Sequence, residues 1–126
     1  MKEICIKIIP HSEQDYPTVG NYFIDQGGIW QIRVSDLGDL KYNIAIALHE
    51  LWEQALCFQR GIDEKFITAF DKEFEKNRKV GDFSEPGDSR NSPYSKEHCS
   101  ATGIERLFVS ESGGTWREYE DKINTL

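Results

Sequence analysis

Cysteine is scarce in this chain. Cys5, Cys57 and Cys99 are spread over 126 residues, an odd and widely spaced set that argues against a disulfide framework and against a metal site built from thiolates alone. Reduced thiols in a cytoplasmic protein fit this pattern better. Basic clusters are missing too, since no run of lysine and arginine exceeds two, and 22 acidic residues against 15 basic leave a net charge of −7. Phosphate binding needs a basic patch that releases counterions, so nucleic acid is not an expected partner. No apolar run approaches the roughly 18 residues that cross a bilayer, and no membrane association is expected. The opening "MKEICIKIIP" interleaves acid and base with isoleucines, which reads as a strand and not as a signal peptide.

What is present organises into a single expected domain over residues 1–126. Residues 2–9 alternate Ile4, Ile6 and Ile8 against Glu3, Cys5 and Lys7, the period of a half-buried strand, and stop at Pro10. Residues 11–18 are polar and loop-like. "GNYFID" and "IWQIRVS" flank "QGG", the signature of a hairpin with a glycine turn, so three strands are expected to form a small antiparallel sheet. Asp39 is a suitable N-cap for a helix over Leu40–Gln59, stopped by Gly61. Asp63 would cap a second helix reaching about Lys79, with Phe66, Ile67, Phe70 and Phe74 as its apolar stripe. Residues 80–93 have no periodicity, and loops of that length in compact domains are often functional; Asp82, Glu85 and Asp88 are expected to be solvated, with a contribution of Asp88 to a site as the alternative. Ser92 and Pro93 suggest the start of a third helix over Tyr94–Ser110, and "TWRE" is a capping box opening a last short helix. Strands first and helices after define an α+β class, with three to four helices behind the sheet.

The chemistry concentrates in the first helix. In "IAIALHELWEQALCF", residues 44–58, eleven of fifteen positions are apolar, yet His49, Glu50, Glu53 and Gln54 interrupt them. A helix apolar nearly all round is buried, and buried carboxylates must be paired, protonated or bound to a cation. Left unpaired they would each cost several kcal/mol. His49 and Glu53 are four apart and share one face, which is chelate spacing. "HELWE" follows the H-E-x-x-H metallopeptidase motif with Glu53 in place of the second histidine. Catalytic zinc accepts carboxylate oxygens, so Zn2+ is the expected ion, and the oxygen ligand also opens the site to Mn2+ or Fe2+. The competing reading is a satisfied polar network, or a solvated helix face.

An open catalytic site needs a third protein ligand from elsewhere in the chain. His98, early on the third helix with Thr102 and Glu105 on the same face, is the expected one. Asp71, at the inner edge of the second helix's stripe, is expected either as a fourth ligand or as a group orienting a histidine. Cys99 adjoins His98, but neighbours on a helix point about 100° apart, which disfavours a nucleophile–base pair. His11 reads as a loop residue, and Trp30, Trp52 and Trp116 as packing residues.

The strand "IWQIRVS", a turn, the helix "ALHELWEQALC" and a downstream helix bearing a histidine together resemble the zincin arrangement, in which a sheet strand precedes and flanks the active-site helix. The likeness covers residues 20–60 in architecture and only "HE" residue for residue. It implies His49 as a ligand and Glu50 as general base, while Glu53 departs from the motif. Over most of its length the chain also resembles small uncharacterised proteins encoded in bacteriophage and prophage genomes, through "YPTVGNYF", "IRVSD", "ALHELWEQALC", "AFDKEFE", "EPGDSRNSPYSKEH" and "IER", with Trp116 and Tyr119 near the end. That resemblance implies the cytoplasm of a host cell and carries no activity with it. The expected function is a metal-dependent hydrolase, with a peptide lying along "IWQIRVS" if that strand is an edge. The alternatives are an accessory protein whose acidic surface meets a host protein around a structural metal or polar network, and an enzyme holding two metals for a non-peptide substrate.

Overall fold

The structure, a computed structural model, describes residues 2–126. Three strands, β1 (Ile4–Ile9), β2 (Gly20–Ile24) and β3 (Trp30–Ser35), precede four helices, α1 (Leu40–Gln59), α2 (Glu64–Lys76), α3 (Ser95–Glu111) and α4 (Trp116–Asn124). The class is α+β. The β2–β3 hairpin closes at Asp25, whose backbone exchanges bonds with Ile29 and Gly28 and whose carboxylate accepts from the Gly27 and Ile29 N–H groups. Gly28 takes φ +80° there, a left-handed conformation that favours glycine.

The sheet is mixed and not antiparallel as expected. Its order is β1-β3-β2: β2 runs antiparallel to β3, whereas β1 pairs with β3 in parallel, Ile4 opposite Trp30 and Ile8 opposite Val34. Period-two alternation is the same in either sense, so the pattern of isoleucines could not reveal the direction of pairing. The residues between β1 and β2 carry the chain past β3, which slots between them. The strand "IWQIRVS" is therefore central and offers no free edge; β1 and β2 are the edges.

Helix α1 packs on β2 and β3 and pairs most extensively with α3. Its start is built by side chains: Asp39 accepts from the Lys41 N–H, and buried Asn43 accepts from the Leu37 N–H while donating to Asp36, locking the β3–α1 turn. Asp63 and Thr115 cap α2 and α4 in the same way. Helix α2 stops at Lys76, short of the expected Lys79, because the Asn77 side chain folds back onto the Glu73 carbonyl. Helix α3 starts at Ser95, since the Ser92 hydroxyl accepts from the Tyr94 N–H and holds that turn outside the helix. Ile32, Val34, Tyr42, Ile46, Val109 and Tyr119 form the centre of the core between sheet and helices. No helix among the described residues is long and apolar enough to cross a membrane.

Two substitutions separate packing from capping. Ile32→Ala, at a fully buried site, is expected to cost about 2–5 kcal/mol, and Asp39→Ala about 1 kcal/mol. Both are read as shifts of the urea midpoint with the slope unchanged.

Candidate metal centre

His49 and Glu53 lie one turn apart on the buried face of α1, and α3 brings His98 against them. Glu53 is the hinge of the group. Its Oε2 stands 3.1 Å from His49 Nε2 and 3.0 Å from His98 Nδ1, with the imidazole centroids 4.8 Å apart and nearly perpendicular. One ligand atom from each of these three residues falls within 4.8 Å of the others.

A supporting layer surrounds them. His49 Nδ1 lies 2.7 Å from Glu105 Oε1, and the other oxygen of Glu105 accepts from the Tyr119 hydroxyl. The chain Tyr119–Glu105–His49 fixes the ring's orientation and leaves Nε2 facing Glu53, the arrangement by which a carboxylate orients a metal-binding imidazole. On the far side of His98, Nε2 has charge contacts at 2.8 Å to Glu85 and 3.3 Å to Asp88, without the alignment of hydrogen bonds. The loop "EPGD" reaches that close because Gly87 has no side chain: a Cβ there would stand 2.2 Å from His98 Cγ. Gly20 on β2 is matched to Glu50 in the same way, with 2.3 Å between its would-be Cβ and Glu50 Oε1.

These side chains line a cavity of about 670 Å3, walled by β2, α1, α2 and the 80–93 loop. Five of its carboxylates, Glu50, Glu53, Asp71, Glu85 and Glu105, stand around His49 and His98, while Arg78, Lys79 and Arg106 belong to the wider lining. No lysine or arginine among the described residues forms an ion pair with any of the five. Burial, reinforced by neighbouring Glu53, pushes Glu50 up to about 8. Burial likewise raises Asp71 to about 7, although hydroxyls of Tyr94 and Tyr16 donate to it. Burial would raise Glu53 as well, but the bonds from both imidazoles outweigh it and hold that carboxyl at about 2. For His98, burial opposes the charge, yet Glu53 and Glu85 win and lift it to about 10.

Of the residues singled out in the sequence, His49, Glu53 and His98 come together, and Glu50 borders the same cavity from the next position on α1. Asp71 lines the cavity but stands outside the group of three, its oxygens bonded to Tyr16 and Tyr94 instead of a histidine. Glu85 and Asp88, expected to be solvated, approach His98 although both remain largely exposed. Glu105 was visible as a neighbour of His98 on the face of α3, but nothing local to it indicated that its partner would be His49. His11 bonds Ser35, Trp52 bonds Ser100 and Trp30 packs on Phe58, all outside the cluster. No protein-family model, curated protein or solved structure matches this chain.

The donor set fits a divalent transition ion. It combines two imidazoles and a carboxylate, a set used by catalytic zinc, in a pocket rich in acidic side chains. Gly87→Ala should lower stability by about 1–3 kcal/mol and displace the His98 resonances in long-range proton–nitrogen spectra. Glu50 in the folded protein titrates near 8, against 4.5 unfolded, so the folded state favours its neutral form; that contribution is whole below 4.5 and is lost as pH rises through 8. Glu50→Gln, neutral throughout, should therefore stabilise the metal-free protein at alkaline pH by about 2 kcal/mol or more relative to its effect at acid pH. Urea unfolding in chelator at both pH values measures the difference.

Proposed function

We propose that this chain is a metal-dependent hydrolase of zincin-like type whose divalent ion, zinc in the first place and Mn2+ or Fe2+ otherwise, is held by His49 Nε2, Glu53 Oε2 and His98 Nδ1. The observation that carries the reading is the convergence of those three buried atoms beside a cavity whose carboxylates outnumber its cations. Such an ion would supply a Lewis acid that polarises a carbonyl oxygen and makes water more acidic. Glu50 is the general base. It sits one residue after a ligand, on the cavity wall against Gly20, where it can take a proton from water and return it to a leaving group. Glu105 keeps His49 in the required orientation through Nδ1, and Tyr119 holds Glu105. The substrate expected on physical grounds is a polypeptide. Of the two edge strands, β2 borders the cavity, and an extended chain could add to it there.

One feature favours a second reading, in which the cluster is a purely ionic network in an accessory protein. Every imidazole nitrogen already faces a carboxylate, so protons can occupy the positions offered to an ion.

Elemental analysis of the purified protein decides between them. Hydrolase and ligand set predict close to one transition ion per chain, retained by Glu50→Gln and lost from His49→Ala and His98→Ala. Saturating zinc at about a thousandfold over its dissociation constant should stabilise the wild type by about 4 kcal/mol and leave His49→Ala unaffected. Cleavage of an unstructured protein such as casein should disappear in Glu50→Gln while the ion stays. Metal-free protein whose melting temperature ignores both zinc and chelator would leave the ionic network standing.

A further inference from the structure

The edge strand β1 is unfinished on two sides. Ile4, Ile6 and Ile8 share a sheet face with Ile32 and Val34, their register partners being Trp30, Ile32 and Val34. Helix α1 covers β2 and β3 so completely that Ile32 and Val34 are 0% exposed, whereas Ile4, Ile6 and Ile8 remain 54%, 47% and 45% exposed. The free edge is equally bare. Trp30 N–H donates to the Glu3 carbonyl and Asp36 N–H to that of Ile9, so odd-numbered residues turn their backbone groups toward β3. Ile4, Ile6 and Ile8 consequently aim their N–H and C=O groups away from the sheet. Within Ile4–Ile9 only Lys7 is charged; the strand has no proline and no bulge, and its register with β3 is unbroken.

The opposite face carries a charge pattern that says what fits. Lys7 lies beside Arg33 in the register, two like charges on neighbouring strands, and neither forms an ion pair among the described residues. Glu3 lies four residues before Lys7 on the same face and is likewise unpaired. A strand written Glu3-Ile4-Cys5-Ile6-Lys7 is self-complementary when turned antiparallel to itself about its middle residue. Glu3 then meets the partner's Lys7, Ile4 meets the partner's Ile6, and Cys5 meets the partner's Cys5. Moving the centre to Ile6 would set Lys7 against the partner's Cys5 and Glu3 against the partner's Ile9. Moving it to Ile4 would set Glu3 against the partner's Cys5. Only the register centred on Cys5 pairs these charges.

We propose that β1 is a homodimerisation edge, at which two copies of this chain pair antiparallel about Cys5 to form one six-stranded sheet. In that register Ile4 and Ile6 exchange backbone hydrogen bonds with the partner's Ile6 and Ile4, because the edge groups they already expose face each other. Glu3 relieves the Lys7–Arg33 repulsion of the opposite copy, once on each side of the two-fold axis. The isoleucines of both strands become a continuous apolar floor, ending at each Trp30, which packs on Phe58 of α1 at 5.3 Å between ring centroids. The two cysteines form a non-hydrogen-bonded pair, with Cα atoms about 4.5 Å apart, inside the range that a disulfide spans.

Charge reversal and crosslinking on the full chain test this pairing. In sedimentation equilibrium the wild type should be dimeric, and Glu3→Lys and Lys7→Glu should each weaken the dimer roughly tenfold by placing like charges opposite each other. The double variant Glu3→Lys/Lys7→Glu restores the pairing and should return close to wild-type affinity. In a Cys99→Ser background, mild oxidation should produce a Cys5-linked dimer that Cys5→Ser abolishes and that Lys7→Glu slows. Circular dichroism of the charge variants confirms that they fold, since all the substituted residues lie at the surface. A monomeric wild type overturns the proposal, as does a dimer whose affinity ignores both single reversals or an oxidised dimer that survives Cys5→Ser.

Discussion

One carboxylate holds the site together. Glu53 on α1 receives both imidazoles, one from its own helix and one from α3, on the same oxygen. That shared atom lies in the α1–α3 interface, the most extensive between helices among the described residues, beside the His49–Glu105 bond that also crosses it. An apolar contact would have bound the helices with less risk, because a half-satisfied buried network is worse than none. Other elements contribute to the network: Glu105 and Tyr119 support His49, and the 80–93 loop brings the charges of Glu85 and Asp88 to His98 Nε2, which has no aligned hydrogen bond. Removing Glu53 would leave two buried imidazoles facing a vacancy and would uncouple all of these contributions at once.

Charge is deliberately unbalanced around that carboxylate. The ion pairs of lysine and arginine among the described residues are Lys41 with Asp39, Arg60 with Glu97 and, at the cavity's edge, Arg78 with Glu75, and none involves Glu50, Glu53, Asp71, Glu85 or Glu105. The consequence is a graded set of carboxyls in one pocket. Glu53 is held near 2 by its two imidazole partners, whereas Asp71 and Glu50 rise to about 7 and 8 under burial. Separating the proton affinities of neighbouring carboxyls is how one pocket presents an anion and an acid at the same pH. The tyrosines that contact Asp71 and Glu105 pin those groups without adding positive charge.

Much of the fold could be read directly from residues, and what could not has a physical reason. Helix α1 has the expected limits because Asp39 and Gly61 punctuate it, and Asp63 and Thr115 cap where expected. Capping is a local transaction between neighbours, so local sequence reports it. Strand direction is not local: the isoleucines of β1 alternate identically whether it runs with or against β3, and nothing in them says whether a helix will roof them. Within the site, the four-residue spacing of His49 and Glu53 made their shared face visible, and the position of His98 supplied a third member of the group. Glu85 stayed hidden because its contact depends on Gly87 letting the loop settle on an imidazole, a matter of missing volume that no charge or periodicity pattern encodes.

The separation of the three central residues along the chain has a temporal side. His49 and Glu53 are four residues apart and meet as soon as α1 coils, whereas His98 is 45 positions from Glu53 and arrives only when α3 docks. The His49–Glu53 contact can therefore form within α1 alone, whereas the His98–Glu53 contact exists only once α3 is packed on α1. One side-chain contact thus reports the docking of two helices that are distant in sequence.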